Sequence, residues 1–201
     1  MSHAAAAELQ HHEEHFSTNV PSKKILMWAF LGSDCMFFGT LISTYLLYKG
    51  MSLEGPFPRD VLSIPITTIS SFVLLMSSLL MALSVDAIKR QNIVRFRLFI
   101  LLTAIFGAIF IGFQSFEFTE FVHKGLTLQK NLFGTTFYTM TGTHGLHVTI
   151  GVIWLLGWFI YSFFGDMSDK AIDIESMGLY WHFVDIVWIV IFTVIYLVEF
   201  V

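Results

Sequence analysis

The chain has 201 residues, 55% of them hydrophobic and only 13% charged, with 22 phenylalanines and a formal net charge of −4. Soluble domains carry ~25% charged residues, so a water-soluble fold is excluded and an all-α integral membrane protein is expected. The slight acidity offers nothing to a nucleic acid. The single Cys35 rules out a disulfide within the chain and any centre that needs two thiolates from it.

Residues 1–22 form a polar tail with His3, His11, His12 and His15 among Glu8, Glu13 and Glu14. No basic stretch leads into an apolar one there, so it does not read as a cleavable signal. His11 and His15 stand four apart on one helical face, but two ligands make an incomplete metal site, and the tail reads as solvated. From residue 23 to 201 the chain reads as one membrane domain. A crossing helix needs ~20 apolar residues, and such segments are expected at 25–48, 63–85, 96–122, 133–164 and 177–201. The breaks carry the turn and charge signals: Pro56, Pro58, Arg59 and Asp60, then Lys89 to Arg97, then Lys124 to Lys130, then the acidic stretch before Met177. The fourth segment exceeds the bilayer and should tilt or project.

Lysine and arginine alone set topology. Lys23, Lys24, Lys89, Arg90, Arg95, Arg97 and Lys170 fall on one side, against Lys49, Arg59, Lys124 and Lys130 on the other. The N-terminus is therefore expected in the cytoplasm and the C-terminus outside.

Ionisable groups inside the apolar segments carry the functional information, since each costs at least ~2.5–3.5 kcal/mol at the bilayer centre. They are Asp34, Glu117, His144, His147, His182 and Asp185. Depth counted along the helices predicts Asp34, His182 and Asp185 in one inner layer, and Glu117 with His144 in an outer one. His144, His147 and Gly151 fall on one stripe, as do His182 and Asp185, and Gly142 and Gly145 would admit a close neighbour. The histidines read as haem or metal ligands or as hydrogen-bonded bridges between helices. The bridging reading is preferred, because the third membrane histidine lies at another depth. The carboxylates read as proton-relay or structural groups, and Trp154, Trp158, Trp181 and Trp188 as packing residues.

Two runs carry a family resemblance. Gly142 to Trp154 reads Gly-Thr-His-Gly-Leu-His-Val-Thr-Ile-Gly-Val-Ile-Trp, and Tyr180 to Trp188 reads Tyr-Trp-His-Phe-Val-Asp-Ile-Val-Trp. Gly32 to Phe38, Ser71 to Ser78, and Gln114 with Glu117 support them. The chain resembles subunit III of haem–copper terminal oxidases in its five-helix form. The resemblance implies a non-redox supporting subunit of an aerobic respiratory oxidase that reduces O2 to water with proton translocation. It implies no catalytic residue and no haem, copper or other metal ligand in this chain; those centres belong to subunit I and its partners. It also implies phospholipid in a cleft, support of proton uptake, neighbours in subunit I, subunit II and small subunits, a larger supercomplex in some cases, and residence in a bacterial inner membrane. Asp34 falls where many members carry a reactive membrane Glu. The Ser-Asp-Cys variant and the His-rich tail resemble the quinol-oxidising branch, while Met36-Phe37-Phe38 is shared with the cytochrome c oxidases. Arg95 and Arg97 are candidates for lipid phosphate contacts. Two other readings stand beside this one: an independent membrane haem protein using His144 or His147, and a small proton-coupled transporter using Asp34 and Glu117.

Overall fold

The computed structural model describes residues 21–198 apart from 53–54 and 59–61. The histidines of the tail and Arg59 lie outside the described residues. The described chain forms α1 (Ser22–Tyr48), α2 (Ile64–Lys89), α3 (Ile93–His123), α4 (Leu132–Phe164) and α5 (Ala171–Phe192), with a π-helical turn at Thr193–Leu197 continuing α5. All five helices are long and apolar enough to cross a membrane, and the described residues contain no strand. At 33 residues α4 is about 50 Å long at ~1.5 Å per residue, well beyond a hydrocarbon core of ~30 Å.

The boundaries follow local chemistry. Pro21 precedes α1, and Pro65 occupies the first turn of α2, where no intrahelical N–H is needed. Asn92 caps α3 by accepting from the Arg95 N–H at 3.1 Å, and Asn131 caps α4 by accepting from the Gly134 N–H at 2.7 Å. The α2–α3 link is much tighter than the charge pattern suggests, because the helices run to Lys89 and from Ile93. Gln91 takes a left-handed φ of 56° to close it, and its side chain is tied to the Ser168 carbonyl at 3.1 Å.

The fifth helix begins at Ala171 rather than Met177. Asp173 and Glu175 look like loop residues in the sequence. In the fold they occupy the first turns of α5, where the exposed N–H groups favour negative charge and lysines reach them. Lys23 bonds Asp173 at 2.7 Å, while Lys24 and Lys89 both hold Glu175. One carboxylate thus gathers the ends of α1, α2 and α5.

The most enclosed helix is α5 and the least enclosed is α1. Helix α2 runs along α3 and α3 along α4, while α5 lies against α1, α2 and α4. Trp181 is the centre of the core, with no exposed surface. Its ring fills a slot between Gly107 of α3 and Gly151 of α4, where an added Cβ would lie 2.7 Å from indole carbons. Its N–H donates to the Ser77 hydroxyl of α2 at 2.9 Å. Small residues let the backbones approach, and one polar tip finds its partner across the gap.

Candidate functional site

The six intramembrane ionisable residues are distributed over separate helix–helix contacts, and each has its own surroundings.

On the α1–α4 contact, Asp34 Oδ2 lies 3.5 Å from His147 Nε2, with both side chains largely enclosed. The other ring nitrogen, Nδ1, is 2.8 Å from the Thr143 carbonyl oxygen, one turn back on α4. A carbonyl only accepts, so Nδ1 carries a hydrogen. A neutral ring would then turn the lone pair of Nε2 toward a carboxylate oxygen. Tyr180 of α5 braces this contact by donating its O–H to the His147 carbonyl at 2.9 Å, and Phe38 sets its edge on the imidazole, ring centroids 5.1 Å apart.

His144, one turn earlier, is fully buried. Its ring stacks on Trp188 of α5 at 4.9 Å between centroids, with 24° between planes, and Phe110 of α3 meets it edge-on at 5.9 Å. Neither ring nitrogen has a hydrogen-bond partner among the described residues. This corrects the expectation of a hydrogen-bonded bridge: His144 is held as an aromatic plate.

On the α2–α5 contact, His182 Nδ1 lies 2.6 Å from the Ser78 hydroxyl. Asp185, on the same face one turn further along, is buried with both carboxyl oxygens shielded and lacking hydrogen bonds of ordinary geometry. The Ser78 hydroxyl is its polar neighbour.

Toward the other end of the bundle, Glu117 of α3 is buried and accepts a short hydrogen bond from the Thr67 hydroxyl of α2. Tyr196, presented by the π-helical turn, joins them, with Tyr45 of α1 beside it. One turn before Glu117, Gln114 donates to the Thr141 carbonyl of α4 at 2.7 Å.

The hydrogen-bond and ring partners add to the expected layers. Asp34 is paired with His147, which depth counting did not match to it, and Glu117 with Thr67 and Tyr196, whereas His144 sits among rings. Gly145 does admit a neighbour, with the place of a Cβ only 2.6 Å from Gln114 Oε1, but Gly142 faces open space. Of the two arginines, Arg95 is exposed. Arg97 instead binds the end of α4: its Nε donates to the Ser162 hydroxyl at 3.1 Å, a second nitrogen donates to the Ser162 carbonyl, and its guanidinium covers the Phe163 ring at 4.2 Å.

The partners that sequence reasoning passed over are hydroxyls: Thr67, Ser71, Ser77 and Ser78 of α2, with Tyr180 and Tyr196. A signal for the α2 set exists. Ser70, Ser77 and Ser84 recur every seven residues, and all three are buried, which marks a polar seam facing another helix. No group of three or more His, Cys, Asp or Glu among the described residues stands close enough to hold a metal ion.

Fold and site together define a class: a multi-pass helical membrane protein whose buried polar groups are gathered at helix contacts. The family model described as "Cytochrome c oxidase subunit III" matches residues 6–199. The chain belongs to that family. It is 34% identical over 177 residues to "Cytochrome c oxidase subunit 3" of Bacillus sp. (strain PS3), covering 88% of this chain and 86% of the relative. To "Quinol oxidase subunit 3" of Bacillus subtilis (strain 168) it is 34% identical over 196 residues, covering 92% and 96%. A third relative, "Cytochrome c oxidase subunit 3" of Thermostichus vulcanus, is 34% identical over 199 residues, covering 98% and 95%.

Proposed function

We propose that this chain is a supporting subunit of an aerobic respiratory haem–copper oxidase, packed against the haem- and copper-bearing subunit I and carrying no redox centre itself. The observation that supports this beyond family membership is the way the membrane imidazoles are used. His144 is stacked between rings, His147 is engaged at both nitrogens, and His182 is engaged through Nδ1. Each imidazole thus ties neighbouring helices together, His144 of α4 to α3 and α5, His147 of α4 to α1, and His182 of α5 to α2, as a bracing role requires.

In this reading the N-terminus is cytoplasmic and the C-terminus outside, in a bacterial inner membrane. Subunit II, small subunits and phospholipid are further neighbours. Exposed Arg95 serves as a phosphate contact at the cytoplasmic surface, a role that Arg97 gives up to Ser162. Asp34 and His147, which face each other across the α1–α4 contact, are the groups through which the subunit influences proton uptake. Oxidases fed by cytochrome c and by quinol both have relatives of this chain at equal identity, so the donor is assigned by the partner subunits.

Intact-assembly mass spectrometry tests the reading. The chain should emerge from the membrane with a larger haem-bearing polypeptide, and the mass of the second partner distinguishes a copper-bearing cytochrome c docking subunit from a quinol-type one. Isolation of the chain as a self-contained oligomer with no haem-bearing partner would contradict it.

A further inference from the structure

A cleft of about 440 Å³ opens between α1, α2 and α5, lined by Lys24, Trp28, Ala82, Glu175, Gly178 and His182. At its mouth Glu175 is held by Lys24 and Lys89, with the Lys23–Asp173 pair beside it. Glu175 and His182 are about two turns apart on α5, so the cleft descends roughly 10 Å from the helix ends at ~1.5 Å per residue. Behind His182 stand Ser78 and the shielded carboxyl of Asp185. A charged rim at Glu175, a cavity reaching His182 and a buried acid at Asp185 thus follow one another along α5.

Two features require an explanation that helix packing does not supply. An ionised carboxyl enclosed at this depth is very costly, and the fold sets the Ser78 hydroxyl beside the shielded oxygens of Asp185. The cleft, meanwhile, has room for on the order of ten waters at ~30 Å³ each, with Lys24, Glu175 and His182 to hydrogen-bond them.

We propose that the cleft is a water-filled inlet and that Asp185 is a proton-binding site loaded through it by way of His182 and Ser78. The steps balance. With Nδ1 occupied by Ser78, Nε2 is the ring atom left for cleft water. A proton arriving on that water passes to Nε2, the Nδ1 hydrogen passes to the Ser78 oxygen, and the Ser78 hydroxyl hydrogen passes to the Asp185 carboxylate. One charge enters and one carboxyl is neutralised; the ring is left with its hydrogen on Nε2, and the reverse order releases the proton. The other intramembrane pair, Asp34 and His147, lies on the α1–α4 contact. The inference does not depend on which partners the chain assembles with.

Infrared spectroscopy of the purified assembly in H2O and D2O provides the test. The wild-type spectrum minus that of Asp185→Asn should contain the C=O stretch of a protonated carboxyl, and this band should shift within the dead time of transfer to D2O. Ala82→Phe adds a ring on an exposed lining position and should slow that shift at least tenfold, as should Ser78→Ala. Ile186→Phe, on the outward face of α5, should leave it fast. Should Asp185→Asn fail to assemble, aspartate-specific 13C labelling identifies the band in the wild type. Absence of a protonated-carboxyl band from Asp185, or exchange equally fast in Ala82→Phe, would overturn the proposal.

Discussion

Trp188 lies flat on the fully buried imidazole of His144, ring centroids 4.9 Å apart, while its N–H crosses to the Ser71 hydroxyl of α2 at 2.9 Å. One side chain of α5 therefore fixes α4 through its face and α2 through its edge. Trp181, two turns earlier, repeats the arrangement, with its ring between glycines of α3 and α4 and its N–H on Ser77. In a membrane, apolar surface alone gives helices little reason to associate, because lipid solvates it equally well. Close fit and single buried hydrogen bonds decide the packing instead.

Trp188→Phe keeps most of the ring surface and loses the N–H. Ser71 retains a bond to the Thr67 carbonyl at 2.6 Å, so the loss should be about 0.5–1.5 kcal/mol. Trp188→Ala should lose about 3–5 kcal/mol, exposing His144 to whatever fills the gap. Thermal unfolding in detergent, followed by loss of helical circular dichroism, separates the two. Equal damage from both variants would mean that the N–H, and not the ring, holds the contact.

Gly107→Ala and Gly151→Ala each place a methyl 2.7 Å from the rigid indole of Trp181. Overpacking of this kind costs about 1–3 kcal/mol. Gly142→Ala and Gly157→Ala meet nothing within 4 Å and, as helix-interior replacements, should be neutral or slightly stabilising. The same unfolding assay checks all four, and indifference at Gly107 and Gly151 would show that Trp181 is not tightly seated.

Much of this architecture is legible in the amino-acid sequence. Each of the five helices coincides with an apolar run, and the six membrane-depth ionisable residues are plain by inspection. Partner choice is a different matter. Whether Asp34 faces His147 or His182 depends on the rotation of α1 about its own axis, which a segment with apolar residues all round does not encode. The start of α5 was obscured because Asp173 and Glu175 look like solvent-exposed loop until the lysines of α1 and α2 are placed beside them. The aromatic setting of His144 was hidden for a similar reason: the run around it shows neighbours along the helix, while Trp188 and Phe110 come from other helices.

Glu175→Gln removes the common anion of Lys24 and Lys89. The lysines are partly exposed and screened, so each pair contributes no more than about 0.2–1 kcal/mol. The variant should be less stable than wild type at low ionic strength and indistinguishable from it at high salt. A salt-independent deficit would place the role of Glu175 in packing.

His147→Ala removes the partner of Asp34 and leaves a carboxyl facing a void on the α1–α4 contact. The chain should then be lost more readily from its assembly during detergent washing, with the haem spectrum of the remaining complex unchanged. Asp34→Asn, whose amide can donate to Nε2, should be retained like wild type while altering the rate of proton uptake during turnover. A spectral shift in His147→Ala with full retention would move this histidine from structure to ligand.

That this polypeptide braces an electron-transfer partner and handles no electrons can be read directly by absorption and metal analysis of the chain after its separation from the assembly. The isolated chain should show no Soret band and no stoichiometric iron or copper, with all of it in the partner fraction. Haem retained by the single chain and lost in His144→Ala would contradict it.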